Sequence, residues 1–258
     1  MLRAMCLILA AWQAHPRYPL VIAANRDEFF RRPAASARWW PEQPGLLAGQ
    51  DLEAGGTWLG VSADGRFAAL TNFRDPSSHR AGTPSRGQLV AGFLASGSTV
   101  DEALGDLQQR SDAYNGFNLM LYDGERFGIY ESVARSGRTL APGVYGLSNH
   151  LLDTSWPKVD RAKSRLSRAL HHLPDEHALI QLLRDDSPAA DEALPQTGVS
   201  LEWERLLSSA FIRANGYGTR CSTIVLVGHD GEVSFNEFSW DEHGEPQGVV
   251  RERFRPHA

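Results

Sequence analysis

The sequence predicts an α+β layered domain, with two sheets between helical layers, on three observations. Strand-like runs occupy both ends of the chain, helical patterns gather between hairpins, and the first hairpin is apolar throughout. In that hairpin Met5-Cys6-Leu7-Ile8-Leu9-Ala10-Ala11-Trp12 and Leu20-Val21-Ile22-Ala23-Ala24 flank the link His15-Pro16-Arg17-Tyr18-Pro19. Two prolines fix the backbone of the link and cannot donate to a ladder, so the runs fold back as antiparallel neighbours. Apolar residues run on without alternation, which places both strands under cover on both faces. The pairing sets Cys6, at the start of one strand, beside Asn25-Arg26-Asp27-Glu28 at the end of the other.

The remaining elements follow in order. Residues 30–47, rich in Arg, Pro and Trp, read as an irregular ordered loop. Residues 55–62 and 67–73 read as strands joined through Asp64-Gly65, a tight-hairpin pair. A polar loop covers 74–86. Residues 88–94 form a short helix, and Thr99-Val100-Asp101-Glu102 opens a second one as a capping box. Strands at 115–122 and 126–131 turn at Asp123-Gly124-Glu125, and a short strand at 144–149 ends on a polar residue. Pro157 suits the first turn of a helix ending near residue 170. Its Lys158, Arg161, Lys163, Arg165 and Arg168 read mainly as a solvated face. Helices at 176–184 and 201–210 flank an acidic, proline-containing loop, and strands at 222–227, 233–238 and 249–254 end the chain.

Composition bounds the function. The 258 residues are ample for a core, and with no linker or repeat in view they are expected to form one domain over 1–258. A net charge of −5 and the lack of a Lys/Arg cluster exclude an electrostatically driven nucleic-acid or membrane partner. Two cysteines, Cys6 and Cys221, make no disulfide framework, and no paired Cys/His spacing marks a metal site. The expected setting is reducing and cytoplasmic. No apolar run reaches transmembrane length. A secretory signal is the competing reading of the first residues, but the apolar run is short and Trp12-Gln13-Ala14-His15 is a poor cleavage site.

A thiol and a carboxylate cluster delivered to one sheet edge form a candidate reactive centre; without that cluster Cys6 reads as a buried small hydrophobe. Met5-Cys6, Ala24-Asn25-Arg26-Asp27-Glu28-Phe29, Gly55-Gly56-Thr57-Trp58-Leu59-Gly60, Leu70-Thr71-Asn72-Phe73, Tyr114-Asn115-Gly116-Phe117-Asn118, Tyr145-Gly146-Leu147-Ser148-Asn149 and Gly216-Tyr217-Gly218-Thr219-Arg220 occur in that order. Together they strongly resemble the NRDE family, the transport and Golgi organisation protein 2 family. The resemblance implies an N-terminal-nucleophile (Ntn) hydrolase fold, a four-layer αββα sandwich similar to the cholylglycine hydrolase and penicillin V acylase group.

It also implies roles. Cys6 is the nucleophile, with its own α-amine as base once the residues before it are removed, because such an amine titrates near neutral pH. Asn72 and Asn149, in contexts similar to the acylases' asparagines, serve the oxyanion and position substrate; a strand-end turn cap is the alternative for each. Arg220 is the cation beside the thiol, and Asp27 holds the amine or thiol, with a surface ion pair to Arg26 or Arg31 as its alternative. Asn25, Arg26 and Trp58 are assigned to substrate binding, and Cys221 to structure. Two departures stand out. The acylase arginine three residues before the aspartate is Ala24 here, and four residues precede Met5. Initiation at Met5 with trimming is the expected route to a free Cys6, against removal of a short propeptide or a non-catalytic Cys6.

The implied function is hydrolysis of a linear, non-peptide amide (acyl-amide) bond of a small-molecule substrate, without a cofactor. The alternative, from what is associated with the family, is a non-catalytic carrier of haem or an acyl lipid. Trp39, Trp40 and Trp58 are candidates to line such a pocket, with a plain core role as the competing reading.

Overall fold

The structure, a computed structural model, describes residues 5–256. The expected freeing of Cys6 concerns residues 1–5, of which 1–4 lie outside the described residues. The opening hairpin forms as the sequence predicts: β1 (Met5–Trp12) and β2 (Leu20–Phe29) pair antiparallel, and from Leu7 to Ala11 and Leu20 to Ala24 every side chain is buried. This hairpin lies inside a seven-stranded sheet. On one side it meets β10 (Gly143–Leu147); on the other it meets β12 (Tyr217–Val227), then β13 (Val233–Trp240) and β14 (Pro246–Phe254), and the two-residue β11 (Arg213–Ala214) is appended to β12.

The second sheet also has seven strands, paired in chain order from edge to edge: β3 (Ala34–Trp39), β4 (Leu46–Asp51), β5 (Leu59–Ser62), β6 (Phe67–Asn72), β7 (Phe117–Tyr122), β8 (Phe127–Glu131) and β9 (Ser136–Thr139). Helices α1 (Gly87–Ala95) and α2 (Val100–Arg110) cover its outer face. Helices α3 (Pro157–Ala169) and α4 (His177–Leu183) cover the outer face of the first sheet, and α5 (Leu201–Leu206) stands beside the start of β12. The molecule is therefore the αββα sandwich that the Ntn-hydrolase resemblance implies.

Side-chain alternation builds the layers. Along β1, Ile8, Ala10 and Trp12 enter the core between the sheets with Ile22, Phe67 and Met120. Leu7, Leu9 and Ala11 face the other way, onto Val159 and Leu166 of α3 and Leu179 of α4. Each such leucine, isoleucine or valine side chain contributes about 1.5–3 kcal/mol by its burial. The Thr99 capping box forms, with Thr99 Oγ1 accepting from Glu102 N and the Glu102 carboxylate accepting from Thr99 N.

β5 begins at Leu59 rather than 55 and β12 at Tyr217 rather than 222, and three further elements depart from expectation. The stretch 30–47 holds β3 and the first residues of β4 rather than a loop. β3 is an edge strand whose register slips between Ala35 and Arg38, which erases the alternation a sequence reading needs. β9, with the polar sequence Ser136-Gly137-Arg138-Thr139, is a largely exposed edge strand without an apolar face. α5 stops at Leu206, short of the expected residue 210.

Candidate functional site

The ladder between β1 and β2 sets Cys6 opposite Arg26 and Met5 opposite Asp27. Because alternate residues of β2 face opposite layers, Arg26 shares the face of Cys6, whereas Asn25 and Asp27 look toward the helical layer. On the Cys6 side lies a cavity of about 740 Å³, with Cys6, Arg26, Trp58, Leu70 and Asn72 among its lining. Its charge is mixed, four arginines (Arg26, Arg31, Arg32, Arg86) against three carboxylates, Glu28, Asp51 and Glu53.

The thiol is protonated at rest. Burial, and then the charge of Asp27, push Cys6 up to about 12, while Arg26 acts in the opposite direction. Its peptide nitrogen donates to Asn149 Oδ1 at 3.3 Å and its carbonyl accepts from Ser148 Oγ at 3.0 Å. Asn149 Nδ2 donates to the Asn72 carbonyl at 2.8 Å. Asn149, just past β10, thus ties the start of β1 in one sheet to the end of β6 in the other. Its amide bonds the backbone of Cys6 and Asn72 and accepts from Ser148 Oγ at 3.3 Å, whereas Asn72 lies on the cavity wall.

Arg26 stacks its guanidinium 4.1 Å from the centre of a Trp58 ring and stands 3.9 Å from Asp51. Asp27 is fully buried: Oδ1 accepts from Thr219 Oγ1 at 2.7 Å, and Oδ2 finds no hydrogen-bond partner among the described residues. Burial raises Asp27 above the usual carboxylate range, against the pull of Lys158.

Three expected placements are corrected. Asn25 donates to the carbonyls of Leu183 and Ala210, at 2.8 and 2.7 Å, and accepts from Ser222 Oγ at 2.6 Å; it fastens helix-side loops to the sheet instead of facing the cavity. Arg220 sits in the bulge where the β12–β2 register shifts, and its Nη1 donates to the carbonyls of Phe29 and Arg32, both at 3.0 Å. It clamps the turn after β2, and the cation acting on the thiol is Arg26. Of the three tryptophans, only Trp58 lines the cavity; Trp40 donates to Ala48 O within the second helical layer, and Trp39 packs on Phe254.

Sequence reading missed Lys158, placed there on a solvated face. It is 2 % exposed, in the first turn of α3. The signal was present: Lys158, Ala162, Leu166 and Ala169 fall on one helical stripe, and the other three are buried apolar residues. Also unforeseen was the buried ion pair of Arg74 Nη1 with Glu204 Oε2 at 3.0 Å. Among the described residues no group of three His, Cys, Asp or Glu side chains could hold a metal ion, and no helix is long and apolar enough to cross a membrane.

Comparison with known proteins agrees with the motif reading. The family model described as Transport and Golgi organisation 2 matches residues 5–242. The Transport and Golgi organization protein 2 homolog of Bos taurus is 38% identical over 259 residues, covering 91% of this chain and 93% of that protein. The Homo sapiens homolog is 35% identical over 257 residues, with 91% and 93% covered. Among solved structures, a mutant conjugated bile acid hydrolase from Clostridium perfringens aligns with a TM-score of 0.47 at 10% identity, over 96% of this chain and 92% of that one. The chain belongs to the Transport and Golgi organisation 2 family.

Proposed function

We propose that this protein is a cysteine hydrolase of the N-terminal-nucleophile type, acting on a linear acyl-amide bond of a small polar molecule with Cys6 as nucleophile. The observation that carries this reading is the position of Cys6: at the floor of the cavity, opposite Arg26, with its nitrogen held by Asn149. When that nitrogen is a free amine it accepts the thiol proton as Sγ attacks the substrate carbonyl. The C–N bond then breaks, the amine leaving with that proton, and water hydrolyses the thioester. Asn72, on the cavity wall, is the side chain proposed to meet the oxyanion. Arg26, braced on Trp58, favours the thiolate and meets a polar or anionic part of the substrate.

The test is the intact mass of the protein made from its native start, before and after a thiol-directed electrophile. The reading expects a chain beginning at Cys6 that takes one adduct there. A chain that keeps Met1 and leaves Cys6 unlabelled sinks it. Among the described residues no histidine lines the cavity. A Soret band on haem titration, unchanged in Cys6→Ala, would move a carrier role to first place.

A further inference from the structure

Behind the thiol, on the helical side of β1, two buried polar atoms are left without hydrogen-bond partners among the described residues: Oδ2 of Asp27 and Nζ of Lys158. Asp27 reaches that layer because it shares its strand face with Asn25, whose amide bonds the Leu183 and Ala210 carbonyls there. Lys158 reaches it from the first turn of α3, the helix packed on β1. Orphaned buried groups cost free energy unless something answers them, and a carboxylate and an ammonium facing one layer attract each other by charge without a direct hydrogen bond.

We propose that Lys158 is the positioning cation of the Cys6 site, holding Asp27 as a carboxylate beside the Cys6 nitrogen. The assignment rests on Cys6 being the nucleophile. Asp27 stands opposite Met5, at the end of β1 where the Cys6 nitrogen lies, so its charge bears on that nitrogen as well as on the thiol. A lone carboxylate so deeply buried takes up a proton and can no longer orient an amine. Lys158 opposes that, and as a cation whose charge bears on Cys6 it also favours the unprotonated form of an amine there. The other charged or titratable groups bearing on the pair are Cys6 on β1, Arg26 and Glu28 on β2, Arg74 after β6 and Glu204 on α5. Arg74 gives Nη1 to Glu204 and keeps Nε and Nη2 buried without partners among the described residues, so it is a further cation bearing on Asp27, but Lys158 is the cation whose charge acts on Asp27 most strongly.

The experiment follows the Asp27 carboxyl by ¹³C NMR in aspartate-labelled protein, its resonance assigned by its loss in Asp27→Asn. Lys158→Met and Lys158→Gln are titrated beside the native chain. Acylation of Cys6 by a p-nitrophenyl ester is followed over the same pH range. The expected result is an Asp27 midpoint raised by about one unit or more in both variants, with the acidic limb of acylation moving up alongside it. Ethylammonium, small enough for the space vacated in a third variant, Lys158→Ala, should draw the limb back in that variant. Coincident midpoints overturn the assignment, as does a shifted midpoint with an unmoved limb, which makes Lys158 a structural partner only. In both of those cases an acylated native Cys6 leaves the nucleophile reading standing. No acylation of the native protein overturns that reading and this one together.

Discussion

Arg26 lies across the ladder from Cys6 and above the ring of Trp58, so one guanidinium is shared between the thiol and the cavity wall. Removing either side of that arrangement should slow acylation of Cys6. A desolvated cation–π contact is worth about 1–2 kcal/mol, so Trp58→Leu is expected to lower the rate roughly 5- to 30-fold. Arg26→Gln should lower it further, since the thiol also loses the cation that opposes Asp27. Rates equal to the native value in Trp58→Leu would show that the stack holds nothing in place.

The resting thiol makes its own prediction. A value raised from 9.0 to about 12 leaves about 1000-fold less thiolate at neutral pH than an ordinary cysteine has. With Cys6 still in peptide linkage, iodoacetamide should therefore label it about 1000-fold more slowly than free cysteine at pH 7, with the rate climbing about tenfold per pH unit. Labelling at the free-cysteine rate in that form would contradict the burial of the sulfur.

The strands nearest the site could be read directly because their cues are local. Two unbroken apolar runs and a proline-bearing link specify the hairpin, and the hairpin alone brings Cys6 to Arg26 and Asp27. The roles of Asn25 and Arg220 were not legible, since their partners are backbone carbonyls remote in sequence, at Leu183 and Ala210 and at Phe29 and Arg32. Charge misled at Lys158, where the helical stripe was the better guide. β3 and β9 escaped because edge strands need only one covered side and carry little apolar pattern.

Asn25 should behave as a fastener. Asn25→Ala deletes two donated hydrogen bonds and one accepted bond, all buried, and leaves their partners unanswered. A loss of about 2–4 kcal/mol of unfolding free energy is expected in urea titration, counting about 1 kcal/mol or more per bond. The loss should come without a change in the pH profile of Cys6 acylation. A stable variant with altered acylation would return Asn25 to the cavity.

The Arg74–Glu204 pair lies with both side chains at most 5% exposed, and Glu204 also accepts from Thr197 N and Oγ1. Glu204→Ala strands a buried guanidinium, which costs about 3–5 kcal/mol of stability. Replacing both residues, as Arg74→Met with Glu204→Leu, should recover most of that, because no lone charge remains. A double variant as unstable as Glu204→Ala would place the loss in packing.

Glu237 links the two sheets: from β13 its Oε1 accepts from Ala37 N of β3 at 2.7 Å, and burial raises it above its ordinary 4.5. A carboxyl whose folded value exceeds its unfolded value binds its proton more tightly in the folded chain. Its contribution to stability is therefore complete below pH 4.5 and is lost as pH rises through the folded value. Glu237→Gln keeps an acceptor for Ala37 and cannot ionise. Denaturant unfolding should show this variant gaining on the native chain as pH climbs from below that range toward neutrality, and level with it in acid. A variant that is least favoured at neutral pH would mean that the ionised carboxylate is the form the sheets hold.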